Sequence, residues 1–327
     1  MPVAVWRKKR ILLFYPFFAL SYLLIIFGNS NWCIAFAFCM TGLARGATSN
    51  FCNTTINNLA PGKAWIINGL HAMFSVGAFT FPILLTVLTA GNAGGWVYAC
   101  YFMLAMGILS WILYYILPVE NDKLEKTDKG SNFGFFREPL FYLCTLTLFF
   151  YLCAEQGVIG WMVTYFKDTG LLDASLSQIT ASVLWIMILA GRLTTAWLST
   201  KVPKERLLLV MGLGIVLFFF LLLFSRSTPW IVFGIMGFGY SMAGIYPTTV
   251  SFSGEIIQKY PLAWSFILTL ASIGSILMPS IIGKIAETAG IFYGMSSIVA
   301  VVFIDLACII GLVFYISGEK KKERVRL

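Results

Sequence analysis

The sequence predicts an all-α, polytopic membrane protein, and three observations predict it. Of 327 residues, 59% are hydrophobic and 11% charged, where a soluble domain carries roughly 25% charged residues. The apolar residues gather in ten runs long enough to cross a bilayer, which takes about 20 residues as an α-helix. The positive charges lie between the runs and concentrate on alternate loops, the signature of a positive-inside bias.

In chain order, the predicted spans are 11–28, 32–58, 65–90, 96–118, 140–166, 175–198, 206–224, 229–256, 262–288 and 291–316. No small-residue cleavage site follows the first run, so it reads as a span and not as a signal peptide. Ten crossings leave both termini on one side. Arg7 to Arg10, Lys63, Lys123, Lys126, Lys129, Arg137, Lys201, Lys204, Lys259, Lys320 to Lys322, Arg324 and Arg326 fall on that side, while Lys167 and Arg226 fall in the opposite loops. The bias makes that side cytoplasmic, in a plasma or inner membrane. Trp32, Trp65, Trp96 and Trp230 stand at run ends, where an aromatic belt places them. The charged stretch 119–138 reads as a cytoplasmic linker. It divides an N-terminal bundle of four helices (1–118) from a six-helix bundle (139–318), which a basic tail (319–327) follows.

The net charge of +9 is accounted for by the loops, so nucleic acid is not an expected partner. Seven cysteines lie in apolar runs with no close pair, and there is one histidine. That argues against a disulfide framework, a metal site or a bound cofactor. No HExxH pair and no GxSxG elbow is present, so the expectation is a protein that is not an enzyme.

An internal repeat supports the two-bundle division. Gly77 and Pro82 in SVGAFTFP match Gly274 and Pro279 in SIGSILMP, 197 positions on. Thr54 and Thr55 match Thr248 and Thr249 at an offset of 194, and Arg10 matches Arg206 at 196. Duplicated halves are the build of many transporters, with the substrate site near the midplane. By the same logic two helices, about 57 residues, are expected ahead of Met1.

Within the spans, the polar residues are the candidates for function. Glu155 lies mid-span, followed by Gln156; it is a candidate for proton coupling or for binding a solute hydroxyl, against a packing role. Arg45 is a candidate for binding an anionic group or pairing with Glu155, against a snorkelling arginine. His71, Asn50 and Asn53 offer the donors and acceptors a hydroxyl-rich solute needs, though interhelical hydrogen bonds would use them equally well. Trp161 suits stacking on a sugar face or a place in the belt. Asp305, in the last span, is expected to be structurally paired. Arg192 and Glu255, near cytoplasmic span ends, suit a gate or loop latch. Gly77, Pro82, Gly274 and Pro279 are expected to allow close packing and bending of a helix pair.

These residues also carry a family resemblance. Gly191-Arg192-Leu193, with Leu198, Lys201, Lys204 and Arg206, resembles the loop motif of the major facilitator superfamily, with Thr200 and Pro203 in place of its aspartate and second glycine. AEQGVIGWMVTYF resembles the seventh helix of the fucose-permease-like sugar transporters. GFGYSMAGIYPTTVSFSGE, with Tyr246-Pro247-Thr248, resembles the tenth, and LHAMFSVGAFTFP the fifth. Asn53 matches the fourth-helix asparagine, while Ser49 and Asn50 stand where relatives often carry an acid.

The resemblance implies a major facilitator fold with ten of its twelve helices. It implies secondary transport of a small polar solute, such as a monosaccharide, by alternating access. Glu155 would serve as proton carrier or hydroxyl acceptor, and His71, Asn53 and Trp161 as solute contacts, with a proton or another ion as coupling partner. Two rivals share these features: efflux of a drug or metabolite by the same fold, and a truncated or solute-sensing protein that does not transport.

Overall fold

The computed structural model describes residues 11–60, 63–89, 93–116 and 133–326. No strand occurs among them, and each of the ten predicted runs is helical. The long helices are α1 (Pro16–Phe27), α2 (Asn31–Leu59), α3 (Ala64–Thr89), α4 (Trp96–Ile116), α5 (Pro139–Asp168), α6 (Ala174–Leu198) and α7 (Lys204–Phe224). They continue with α8 (Thr228–Met242), two short helices α9 (Ile245–Phe252) and α10 (Gly254–Lys259), α11 (Pro261–Ala289) and α12 (Ile291–Arg326). Eight helical segments among the described residues are long and apolar enough to cross a membrane, α8 and α9 counting as one, and Ile11–Phe27 is a shorter apolar helix. The 29-residue α2 is long enough, but its Thr, Asn and Arg content leaves it less apolar than the eight.

The helix starts follow local chemistry. The Ser30 hydroxyl accepts the Cys33 N–H at 3.1 Å, and Asp173 Oδ1 accepts the Leu176 N–H at 2.8 Å, each capping donors that have no partner inside the helix. Proline opens α1, α5, α8 and α11, where its missing N–H costs nothing. Trp32, Trp65, Trp96 and Trp230 are all exposed, as belt residues are.

Contacts divide the chain into two compact units, one within Met1–Pro61 and Thr80–Asp128, the other within Gly62–Phe79 and Lys129–Leu327. In the first unit α1 packs on α2 and α4. The Thr41 hydroxyl donates to Ser21 Oγ at 2.9 Å across α1 and α2, and the Trp111 indole N–H donates to the Leu12 carbonyl at 3.1 Å. The first part of α3 counts with the second unit, because its polar side chains pack there. Of the expected linker, 119–132 lie outside the described residues.

The second unit is built around α5, which packs on α6, α9, α11 and α12. Its buried stripe is Phe141, Cys144, Leu148, Tyr151, Glu155, Val158, Met162 and Tyr165, an alternation of three and four. That spacing keeps one seam of an α-helix against its neighbours. The stripe of α12 has the same form: Met295, Ile298, Val302, Asp305, Ile309 and Leu312. Each seam therefore holds one carboxylate among apolar neighbours.

Small residues set the helix spacing around α5. A Cβ added to Gly274 of α11 would stand 2.5 Å from the Phe149 carbonyl oxygen and 2.8 Å from Cys153 Sγ. Neither is free to yield, so α11 lies close against α5 at Gly274. Gly77 has no neighbour within 4 Å of such a Cβ, and the side chain of Pro82 lies outside the described set. Gly274→Ala is expected to cost about 1–3 kcal/mol through overpacking. Gly311→Ala, whose new methyl would meet Leu143 at an ordinary 3.5 Å, is expected to be neutral. Thermal unfolding of the two variants in detergent checks the contrast.

Candidate functional site

In the second unit two polar side chains bond Glu155, and ring contacts lead from one of them through Tyr246 to His71. The Glu155 side chain is 7% exposed. The Tyr151 hydroxyl, one turn earlier on α5, donates to Oε1 at 2.7 Å, and Gln156 Nε2 donates to Oε2 at 3.3 Å. Residues four apart share a helix face, so the Tyr-x-x-x-Glu spacing itself supplies the carboxylate with a donor. A buried carboxylate is tolerated only when such bonds replace its water.

Tyr246 stands next to Tyr151, with ring centroids 6.2 Å apart. A break in the helix places it there. Pro247 has no N–H to give the Ala243 carbonyl, and its ring clashes with a helical carbonyl four residues back. The chain accordingly turns at Ala243–Gly244 and restarts as α9. Gly244 is required at the turn, because a Cβ there would stand 2.6 Å from both Met211 Sδ and Thr195 Cγ2. Thr248 and Thr249 follow, buried, with hydroxyls that find no partner among the described residues.

His71 approaches Tyr246 edge-on, ring centroids 5.0 Å apart, and its buried Nε2 has no hydrogen-bond partner among the described residues. Arg192 fixes this part of α3. It is 4% exposed, and its Nη1 donates to the His71 carbonyl at 2.6 Å and to the Ser75 hydroxyl at 2.5 Å. Its guanidinium also lies 6.0 Å from the Phe74 ring centroid. No carboxylate among the described residues forms an ion pair with it. Arg192 was expected at a gate and His71 at a solute; they are joined. The adjacent Gly191 lets α6 close on α8, since a Cβ there would meet the Tyr240 carbonyl oxygen at 2.6 Å.

The remaining candidates have the following places. The Trp161 indole N–H donates to the Pro279 carbonyl at 2.9 Å, and its ring lies against Gly283. It ties α5 to α11, so its N–H is already used. Asn53 is buried in the first unit, and its Nδ2 donates to the Ser49 carbonyl of its own helix at 2.9 Å. Asn50 and the exposed Arg45 belong to the same unit. Lys201 sits over the Trp197 ring at 3.9 Å, and Arg206 is exposed at the start of α7. The side chain of Glu255 lies outside the described set.

Asp305 departs from expectation. It is 1% exposed, yet it forms no ion pair, and its Oδ1 finds no hydrogen-bond partner among the described residues. Tyr151 and Ser75 were not singled out from the sequence. The four-residue spacing to Glu155 could have flagged Tyr151, whereas Ser75 meets Arg192 across 117 positions and carries no local signal.

The arrangement offers a buried set of hydroxyl, amide, imidazole and carboxylate groups inside an apolar helical unit. Such a set can hold a small polar solute by hydrogen bonds, and it contains groups able to exchange a proton. The model of the Major Facilitator Superfamily matches residues 4–277. The chain belongs to the major facilitator superfamily. This facilitator is thus a multi-pass membrane transporter of small solutes and not an enzyme.

Among its relatives, Protein TsgA homolog of Erwinia tasmaniensis is 24% identical over 309 residues, covering 90% of this chain and 75% of that one. Protein TsgA of Shigella flexneri is 23% identical over 272 residues, covering 81% and 68%. Among solved structures, the transporter FucP in its outward conformation aligns with a TM-score of 0.77 at 14% identity, over 94% of this chain and 83% of FucP. A second crystal structure, of FucP as the E. coli fucose:proton symporter, aligns at 0.76. The human organic anion transporter MFSD10 aligns at 0.69 and 15% identity, over 93% of this chain and 77% of that one. At these identities the structural likeness concerns the fold.

The Arg192 contacts make a direct prediction. A double-mutant cycle of Arg192→Ala and Ser75→Ala, read by denaturant unfolding in detergent, is expected to give a coupling of about 1–3 kcal/mol, the range for hydrogen-bonded neighbours. Additive single effects would show the contact to be energetically empty.

Proposed function

We propose that this facilitator moves a small hydroxyl-rich solute, a monosaccharide being the simplest, by proton-coupled alternating access. The observation that carries this reading is the largely buried set Glu155, Tyr151, Gln156, His71 and Tyr246, followed on α9 by the Thr248 and Thr249 hydroxyls, which find no partner among the described residues. Sugar hydroxyls both donate and accept, and the set offers a carboxylate acceptor beside hydroxyl and imidazole groups that do either. Unmet hydrogen-bonding capacity inside an apolar unit is costly to keep, and a polar ligand would satisfy it. The likeness to FucP, a fucose:proton symporter, supports the same class of solute and the same coupling ion.

In this reading Asn53 and Asn50 act as further solute contacts, and Arg45 as a polar group of the solute pathway. Arg192 holds the His71 stretch as a latch, with Gly191, Lys201, Arg206 and Glu255 supporting the loop on that side. The helix packing given to Gly77 and Pro82 stands as part of the same proposal. The two bundles divide at the 119–138 linker, and the positive loops face the cytoplasm in the plasma or inner membrane.

Uptake by the full chain in proteoliposomes, with an imposed pH gradient and a panel of labelled monosaccharides headed by L-fucose, tests the reading. Accumulation that a protonophore abolishes is expected. Glu155→Gln is expected to reduce it about tenfold or more, the scale of one lost hydrogen bond to a charged group. Absence of uptake for every sugar under either gradient direction would remove the proposal.

A further inference from the structure

Two carboxylates lie in the packed seams of this unit, and their surroundings differ. Glu155 is solvated by protein, with a donor on each oxygen. Asp305 has none of this: its Oδ1 has no partner among the described residues, and no lysine or arginine pairs with it. The groups that face it are few. α12 packs on α5, whose buried titratable groups are Cys144, Tyr151, Cys153, Glu155 and Tyr165, and its own helix adds Cys308. From α7, Glu205 pairs instead with Lys320, fifteen residues along α12 from Asp305. The charged groups of α11, Lys284 and Glu287, form no ion pair with it. A carboxylate without a cation or donor, closed off from water, is tolerated only as the uncharged acid.

We propose that Asp305 is the proton-carrying carboxylate of this transporter, and that Glu155 is the one that receives donors from the solute. This rests on the proton-coupled reading above. Two acids in environments this unlike take separate roles by the same logic that separates general acid from ionised partner in enzymes. In the packed state Asp305 holds the proton. Release follows only when water or a cation reaches the α5–α12 seam, and the proton leaves to that water. Tyr151 hydrogen-bonds Glu155 and sits on α5, the helix against which α12 and its buried Asp305 pack, so α5 is the element through which occupancy of Glu155 by solute reaches Asp305.

The test reads protonation without any solute. Infrared difference spectra of the full chain in proteoliposomes at neutral pH, with deuterium exchange, report the C=O stretch of a protonated carboxylic acid. The expected result is a band in the wild type that Asp305→Asn removes and Glu155→Gln keeps. No band in the wild type, or a band that Glu155→Gln removes, overturns the assignment. If Asp305→Asn does not fold, the wild type and Glu155→Gln decide the matter between them.

A second arm uses labelled L-fucose. Asp305→Asn is expected to lose pH-gradient-driven uptake about tenfold, while equilibrium exchange stays within about twofold. Equal loss of both marks Asp305 as merely structural and overturns the proposal. A wild type that moves no sugar but shows the band overturns the sugar reading and leaves the proton assignment standing.

Discussion

A carboxylate in the seam of a packed helix is the constraint on which the second unit depends. Glu155 occupies a position of the α5 stripe that is otherwise Cys, Leu, Val, Met or aromatic. Several kcal/mol oppose an ionised group at such a site unless its oxygens are bonded. Tyr151 supplies one bond from the same face of the same helix, and it is itself buried, so the pair is a single polar unit carried by α5. Neighbouring helices must then approach closely enough to exclude water while leaving room for that unit. Gly157 answers on α5, where a Cβ would meet Ile282, Met278 and Ile298 at 3.1–3.2 Å. Gly274 answers on α11.

The same economy explains the α3 contact. Arg192 is buried, and its acceptors are a backbone carbonyl and a serine hydroxyl in place of a carboxylate. Neutral acceptors bind a guanidinium less strongly than a bidentate acid would. A contact of that strength holds a segment in place and releases it at modest cost, which suits a latch better than a permanent strut. Tyr246 depends on a different device, the proline-directed break between α8 and α9. There the lost backbone bond is the means by which an aromatic ring comes to stand between His71 and Tyr151.

Much of the fold was legible because hydropathy and span length are local properties. Ten apolar runs became helices, and the matched Gly and Pro positions pointed to Gly274, which does pack closely on α5. The site was legible in part. Glu155, Gln156, His71 and Tyr246 were singled out and lie together, because a polar residue inside an apolar run stands out in any window. What the sequence could not show was pairing between distant positions. Trp161 reads as a stacking platform or a belt residue, yet its N–H is spent on Pro279, 118 positions away. Arg192 reads as a loop-motif residue, yet its partners are 117 and 121 positions away. Asp305 reads as half of an ion pair, and no partner follows from its neighbours in sequence.

The position of α5 also bears on coupling. Two ligands are coupled only if each changes the free energy of binding the other, and that requires a shared physical element. Here α5 carries Glu155, the Tyr151 that bonds it, and the face against which Asp305 is buried. A donor from a solute competing for Glu155 would alter the Tyr151 hydroxyl bond directly. Under the proposed roles the path from solute to proton would run through α5 alone and need no long chain of rearrangements. A helix pair whose spacing is fixed by glycine contacts would convert small changes at Tyr151 into a choice between packed and opened seams, since close-packed interfaces switch more readily than they deform.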